Sequence, residues 1–124
     1  MAKILLVEDN ELNLDMLRRR LERKGFTIIS ASNGNTAVEL AESERPDLII
    51  MDMSLPEVDG WTATQMIKSN PKLHHIPIIG CSAHAMPGDR DRAIAAGCND
   101  YDFKPIQFDR LMELIQQLLP VIGH

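Results

Sequence analysis

No stretch of this sequence approaches the roughly 18 consecutive apolar residues that a membrane-spanning helix needs. Nor does it open on a secretory signal: Met1-Ala2-Lys3-Ile4 runs straight into a short apolar segment with no signal-peptide core or cleavage site. A cytoplasmic location with no membrane span is therefore expected. An excess of positive charge is also missing. Thirteen Lys and Arg stand against 18 Asp and Glu, for a net charge of −5, which argues against direct nucleic-acid binding through phosphate neutralisation. Cysteine is scarce. Cys81 and Cys98 have neither CxxC nor metal-ligand spacing, so both read as small reduced residues in or near a core. Linkers, low-complexity segments and long repeats are absent. The 124 residues suffice for one domain with a real core, and the expectation is a single unit over 1–124 with no output domain.

What is present is a regular alternation of apolar runs and helical periods. Ile4-Leu5-Leu6-Val7, Phe26 to Ala31, Leu48 to Met51, Ile76 to Cys81 and Asp100 to Phe103 read as strands. Leu48-Ile49-Ile50-Met51 is apolar at every position, as for a central parallel strand buried on both faces. Helical segments follow each strand. Leu14, Leu17 and Leu21 share one face, and Lys24-Gly25 makes a basic last turn with glycine after it. Asp59 is placed to cap a helix in which Gly60, Ala63, Thr64 and Ile67 form a small-residue face. Arg45 precedes Pro46 and is expected to leave the α region there. A short polar helix from Asp89 to Ala96 ends at Gly97, and the last helix carries Phe108, Leu111, Met112, Ile115, Leu118 and Leu119 at helical spacing. Five β-α units of similar length predict an α/β fold, one parallel sheet with helices on both faces.

In such a sheet all strands point the same way, so the residues that follow them share one edge, where open α/β sheets put their chemistry. That edge collects Glu8 and Asp9, Asp52, Ser82 and Lys104. Carboxylates ~4 Å apart repel by about 4 kcal/mol per pair at an effective dielectric of 20. Lys104 offsets part of this, and a divalent cation offsets more. All-oxygen ligands select a hard ion, Mg²⁺ before Zn²⁺. One metal, an ammonium, a hydroxyl and a free carboxylate oxygen suit a phosphoryl group in transfer, with Asp52 as the nucleophile.

Leu6-Val7-Glu8-Asp9-Asn10, the run from Ile49 through Asp52 to Gly60, Ser82-Ala83 and Tyr101-Asp102-Phe103-Lys104-Pro105 together resemble the receiver domain of two-component response regulators, over the whole chain. The resemblance implies a doubly wound five-stranded sheet of order 2-1-3-4-5, an order the wider family is already known for, with five helices. It implies that Asp52 accepts a phosphoryl group from a histidine kinase or histidine phosphotransfer protein. Mg²⁺ would be held by Asp9, Asp52 and the backbone carbonyl of Ser54, with Glu8 reaching it through water. It implies a cis Lys104–Pro105 peptide. Ser82 and Tyr101 would form the switch, Ser82 drawn to the phosphoryl group and Tyr101 filling the space it leaves. The readout would be a repacked surface of the fourth helix, fifth strand and fifth helix that binds a downstream protein. Ser54 and His84 occupy the positions that tune phosphoryl lifetime in this family. Such a chain is a regulator rather than an enzyme, catalysing only its own phosphorylation and dephosphorylation.

Rival readings are weaker. An FMN binder needs a hydroxyl- and glycine-rich loop after the first strand, where this chain has Glu8-Asp9. A haloacid-dehalogenase-type phosphatase needs an acid two residues beyond its nucleophile, where Ser54 stands. A phosphorylation-independent scaffold has no need of the acidic pocket and lysine kept here. A receiver relaying phosphate within a multistep relay stays open. His74-His75, Trp61 and the Arg18-Arg19-Arg20 run read as a solvated loop pair, a partly buried ring and a solvated helix face. Counting charges alone, Asp52→Asn is expected to raise metal-free stability.

Overall fold

The computed structural model describes residues 2–55, 58–82 and 88–119. Five strands, β1 (Lys3–Val7), β2 (Thr27–Ala31), β3 (Leu48–Asp52), β4 (Ile78–Ser82) and β5 (Asp100–Phe103), form one parallel sheet ordered β2-β1-β3-β4-β5. They alternate with α1 (Glu11–Arg23), α2 (Gly34–Glu44), α3 (Gly60–Ser69), α4 (Asp89–Ala96) and α5 (Phe108–Leu118). This is the expected doubly wound architecture. Every residue of β3 is buried, because helices cover both faces of the sheet's centre.

The sheet separates two cores. Leu5, Val7, Ile49, Met51, Ile78 and Tyr101 face the side of α2, α3 and α4. Ile4, Leu6, Leu48, Ile50, Ile79 and Cys81 face α1 and α5, where Leu21, Phe108, Leu111 and Ile115 meet them. Period-two alternation within each strand distributes the apolar residues between these layers.

Caps set where the helices begin. The side chains of Asn10, Asn33 and Asp59 accept the N–H groups of Asn13, Thr36 and Thr62 at 3.0, 2.8 and 2.8 Å. Two strands start later than their apolar runs suggest. The Phe26 N–H returns to the Leu21 carbonyl to close α1, so β2 begins at Thr27. The Ile76 N–H closes a turn onto Leu73, and Pro77 has no N–H to offer a ladder, so β4 begins at Ile78. Arg45 leaves the α region before Pro46 as expected, and it does so in the left-handed conformation, φ 46°. Of the expected loop from Ser82 to Gly88, residues 83–87, His84 among them, lie outside the described residues, as does the Pro56-Glu57 pair.

Candidate functional site

Register assembles the site. Val7 pairs with Met51, Asp52 with Cys81, and Cys81 with Asp102. Extending the first pairing by one residue sets Glu8 beside Asp52. Glu8, Asp52, Cys81 and Asp102 therefore form one row across the carboxyl ends of four strands, all on the face of α1 and α5. Backbone bonds lock the row's neighbours: Glu8 N–H to Ala31 O at 3.0 Å, Met53 N–H to Cys81 O at 2.8 Å, and Lys104 N–H to Ser82 O at 2.7 Å.

Asp52 is the last residue of β3 and only 3% exposed. Its Oδ1 accepts the Ser54 N–H at 2.9 Å. Lys104 Nζ donates to its Oδ2 at 3.0 Å and to Glu8 Oε1 at 2.7 Å. Carboxylate oxygens of Glu8, Asp9 and Asp52 lie within 4.8 Å of one another. The structure thus brings together Glu8, Asp9, Asp52 and Lys104 as the sequence predicts. Asp9 is exposed while Glu8 and Asp52 are buried, so the pocket opens to solvent on the Asp9 side.

The acids divide one environment unequally. Burial raises Glu8 above the usual carboxylate range, and its contact with Asp52 raises it further, against the pull of Lys104. Burial pushes Asp52 up as well, but hydrogen bonds from Glu8, the Ser54 N–H and Lys104 outweigh it and hold Asp52 below the usual range. Burial lowers Lys104, and its ties to Glu8 and Asp52 more than reverse this. Among the described residues, Lys104 is the one cation paired with these acids. Three carboxylates against one ammonium, with oxygen donors only, is a donor set that fits a hard divalent cation.

Ser82 ends β4, is buried, and lies on the opposite face of the sheet from Asp52's row, the same face as Tyr101. The Tyr101 ring is 2% exposed. Its phenol is raised by burial, offset in part by the Ser82 hydroxyl. The ring already lies inside, edge-on to Phe103 at 6.1 Å. The Lys104–Pro105 peptide is cis.

Asp102, which the sequence does not single out, is a buried carboxylate in the same row. Its Oδ1 accepts its neighbour Phe103's N–H at 2.9 Å and lies 3.5 Å from Arg110 Nε on α5. Its Oδ2 has no hydrogen-bond partner among the described residues. The signal was an acid at an inward position of a strand that pairs with Cys81. Burial and then the charges of Asp102 and Asp52 push the Cys81 thiol far up, and burial lifts Cys98 to about 11. Both stay protonated, inert core cysteines. His74 and His75 are exposed. Trp61 is half-buried with Arg92 over its ring at 4.3 Å. Arg18 and Arg19 pair with Glu22 and Asp15 on α1, whereas Arg20 lies over the Phe108 ring at 4.4 Å.

The sequence matches the response regulator receiver domain family over residues 4–116. It is 44% identical over 116 residues to the polar-differentiation response regulator DivK of Brucella anthropi, covering 94% of each chain. Among solved structures it resembles the receiver domain of the sensor histidine kinase PA1611 of Pseudomonas aeruginosa, with a TM-score of 0.89 and 37% identity over 96% of this chain and 98% of that one. That receiver holds a magnesium ion in its active-site cleft. The chemotaxis protein CheY4 of Vibrio cholerae is similar at a TM-score of 0.89 and 25% identity, over 96% of this chain and 99% of that one.

Proposed function

The chain belongs to the response regulator receiver domain family of two-component phosphorelays, and from that premise we propose that Asp52 is its phosphoryl acceptor. The observation that carries the reading is one buried carboxylate at the end of β3, held at 3.0 Å by Lys104 and ringed by Glu8 and Asp9. Asp52 attacks the phosphoryl group of a donor's phosphohistidine; the O–P bond forms as the P–N bond breaks. Lys104 neutralises charge on the transferring group, and the Ser82 hydroxyl donates to it. Mg²⁺ would be held by Asp9, Asp52 and the Ser54 carbonyl, with Glu8 through water, and when bound supplies further charge neutralisation. In this reading 1–124 is one receiver unit that catalyses only its own phosphorylation and dephosphorylation.

The donor is a histidine kinase or a histidine phosphotransfer protein, as for the family. A groove of about 460 Å³ lined by Met16, Leu17, Arg20, Ile106 and Phe108 opens onto Glu8 and Lys104. Met16 in its wall is 59% exposed, and Leu12, on the same helix, 75%. A donor seated there brings its phosphohistidine to Asp52. Output leaves through α4, β5 and α5, where Ile94 and Phe103 are exposed apolar residues and Tyr101 lies beneath. Ser82 and Tyr101 link the acceptor to that face.

Borohydride reduction of the phosphorylated protein tests the acceptor, because it converts an aspartyl phosphate to homoserine. Peptide mass mapping is expected to find homoserine at position 52; finding the modification at Asp9 or Glu8 instead overturns the assignment. A relay role, in which Asp52 passes its phosphoryl group to a histidine phosphotransfer protein, uses the same residues. A pull-down comparing phosphorylated and Asp52→Asn protein separates it from a switched protein contact.

A further inference from the structure

Two helices start on glycines in close contact with backbone: one start presses on the strand end that carries Asp52, the other on Val58. Gly60, the first residue of α3, lies against the backbone of Asp52 and Met53. A Cβ at Gly60 would meet the Asp52 carbonyl oxygen and would stand 2.5 Å from Met53 Cα and 2.9 Å from the Asp52 carbonyl carbon. The Gly60 N–H donates to the Met53 carbonyl at 3.2 Å. Gly34, the first residue of α2, lies against Val58 in the same manner. A Cβ there would meet the Val58 carbonyl oxygen and would stand 2.8 Å from its carbonyl carbon and 2.9 Å from its Cβ. Gly34 and Gly60 are both buried.

These contacts are in series. Val58 is two residues from Gly60, and Asp59 between them is fixed by its cap on the Thr62 N–H. Val58 also packs on the core shared by Ala37, Ala41, Met51 and Met53. The order is α2, Val58, the α3 start, Asp52. A methyl group at Gly34 forces Val58 away by on the order of 1 Å, since carbon atoms at rest stand about 3.5–4.0 Å apart. Val58 is tied through two residues to a helix start that rests on Asp52's own backbone, so the displacement is passed on to Asp52.

We infer that Gly34 is a positioning residue for phosphoryl transfer, acting through Val58 and Gly60 to set where the Asp52 carboxylate stands relative to Asp9 and Lys104. The inference rests on Asp52 being the acceptor. Misplacement by ~1 Å at a reacting group can cost about 10²-fold in rate. No role in chemistry attaches to Gly34 itself; it touches none of the reacting atoms.

The test is Mg²⁺ titration of Gly34→Ala, followed by the emission of Trp61, the chain's one tryptophan, together with the initial rate of phosphoryl uptake from acetyl phosphate. An Ile115 variant (Val or Ala, whichever matches the loss of melting temperature) is the control, since Ile115 lies in the core on the other side of the sheet. The expected result is a rise of about tenfold or more in the Mg²⁺ concentration for half-saturation, and a fall of similar size in rate, in Gly34→Ala and not in the control. Wild-type values of both quantities in a folded Gly34→Ala protein overturn the inference. If Gly34→Ala does not fold, Val58→Ala decides: it creates no clash and loosens the same spacer, so weakened Mg²⁺ binding supports the inference and unchanged binding overturns it. Failure of the wild type to take up a phosphoryl group would instead count against Asp52 as acceptor, and the Mg²⁺ arm still judges Gly34.

Discussion

At Glu8 two effects pull against each other: a 2.7 Å ion pair with Lys104 and burial beside a second carboxylate. Burial and Asp52 win, so Glu8 holds its proton more tightly folded than unfolded. An acid raised in this way favours folding below its ordinary value of 4.5 and loses that contribution as pH climbs through the raised value. Without metal, the melting temperature of Glu8→Gln should therefore gain on the wild type as pH rises from 4 to 8; a gain that stays flat or shrinks contradicts this. Asp52 has the opposite sign. Held below its ordinary 3.8, it contributes stability above that pH and loses it as pH falls through the folded value. Asp52→Asn should then melt lower than wild type at pH 7 in chelator, with the difference closing below pH 3.8. Charge counting on the sequence gives the reverse sign, because it registers three carboxylates but not that Asp52 takes the hydrogen bonds of Glu8 and of the Ser54 N–H as well as sharing Lys104. The gathering of Glu8, Asp9, Asp52, Ser82 and Lys104 at one edge is legible because each stands at or just beyond a strand end. Asp102 was not, because its burial follows from a pairing with Cys81 that composition does not reveal.

Among the elements, those with large side chains at regular spacing were the readable ones. α5 buries Phe108, Leu111 and Ile115, and its pattern announces it. Leu111→Ala removes a fully buried side chain and should cost about 2–5 kcal/mol in denaturant unfolding. α4 is a different object. It buries only Ala93 and Ala96, and its side-chain contacts include Arg92 stacked on Trp61 and Arg90 paired with Asp100 at 3.3 Å. Its apolar burial is small, so its amides should exchange with solvent hydrogen faster than those of α5; equal protection would show that α4 is held by more than these contacts. The starts of β2 and β4 were misplaced by one and two residues for a common reason. An apolar residue beside a strand, Phe26 or Ile76, spends its N–H on closing a turn. Sequence shows hydrophobicity there but not where the hydrogen bond goes.

For the molecule as a whole, parallel strands gather at one edge residues that lie up to 96 positions apart in sequence, Glu8 and Lys104 among them. The alternation of five strands and five helices was enough to predict that gathering. The series from Gly34 through Val58 to Gly60 was not foreseeable, since it depends on α2 touching Val58 in the segment before α3. The assembled edge carries more negative charge than Lys104 balances, so folding and cation binding are linked: millimolar Mg²⁺ should raise the melting temperature of the wild type, because only the folded chain holds the site. Whether this edge lets Asp52 take a phosphoryl group is decided by intact mass measurement after incubation with acetyl phosphate. The wild type should gain one phosphoryl group with Mg²⁺ and none in chelator, and Asp52→Asn should gain none. Stoichiometric labelling of Asp52→Asn, or no gain by the wild type with Mg²⁺, would contradict it.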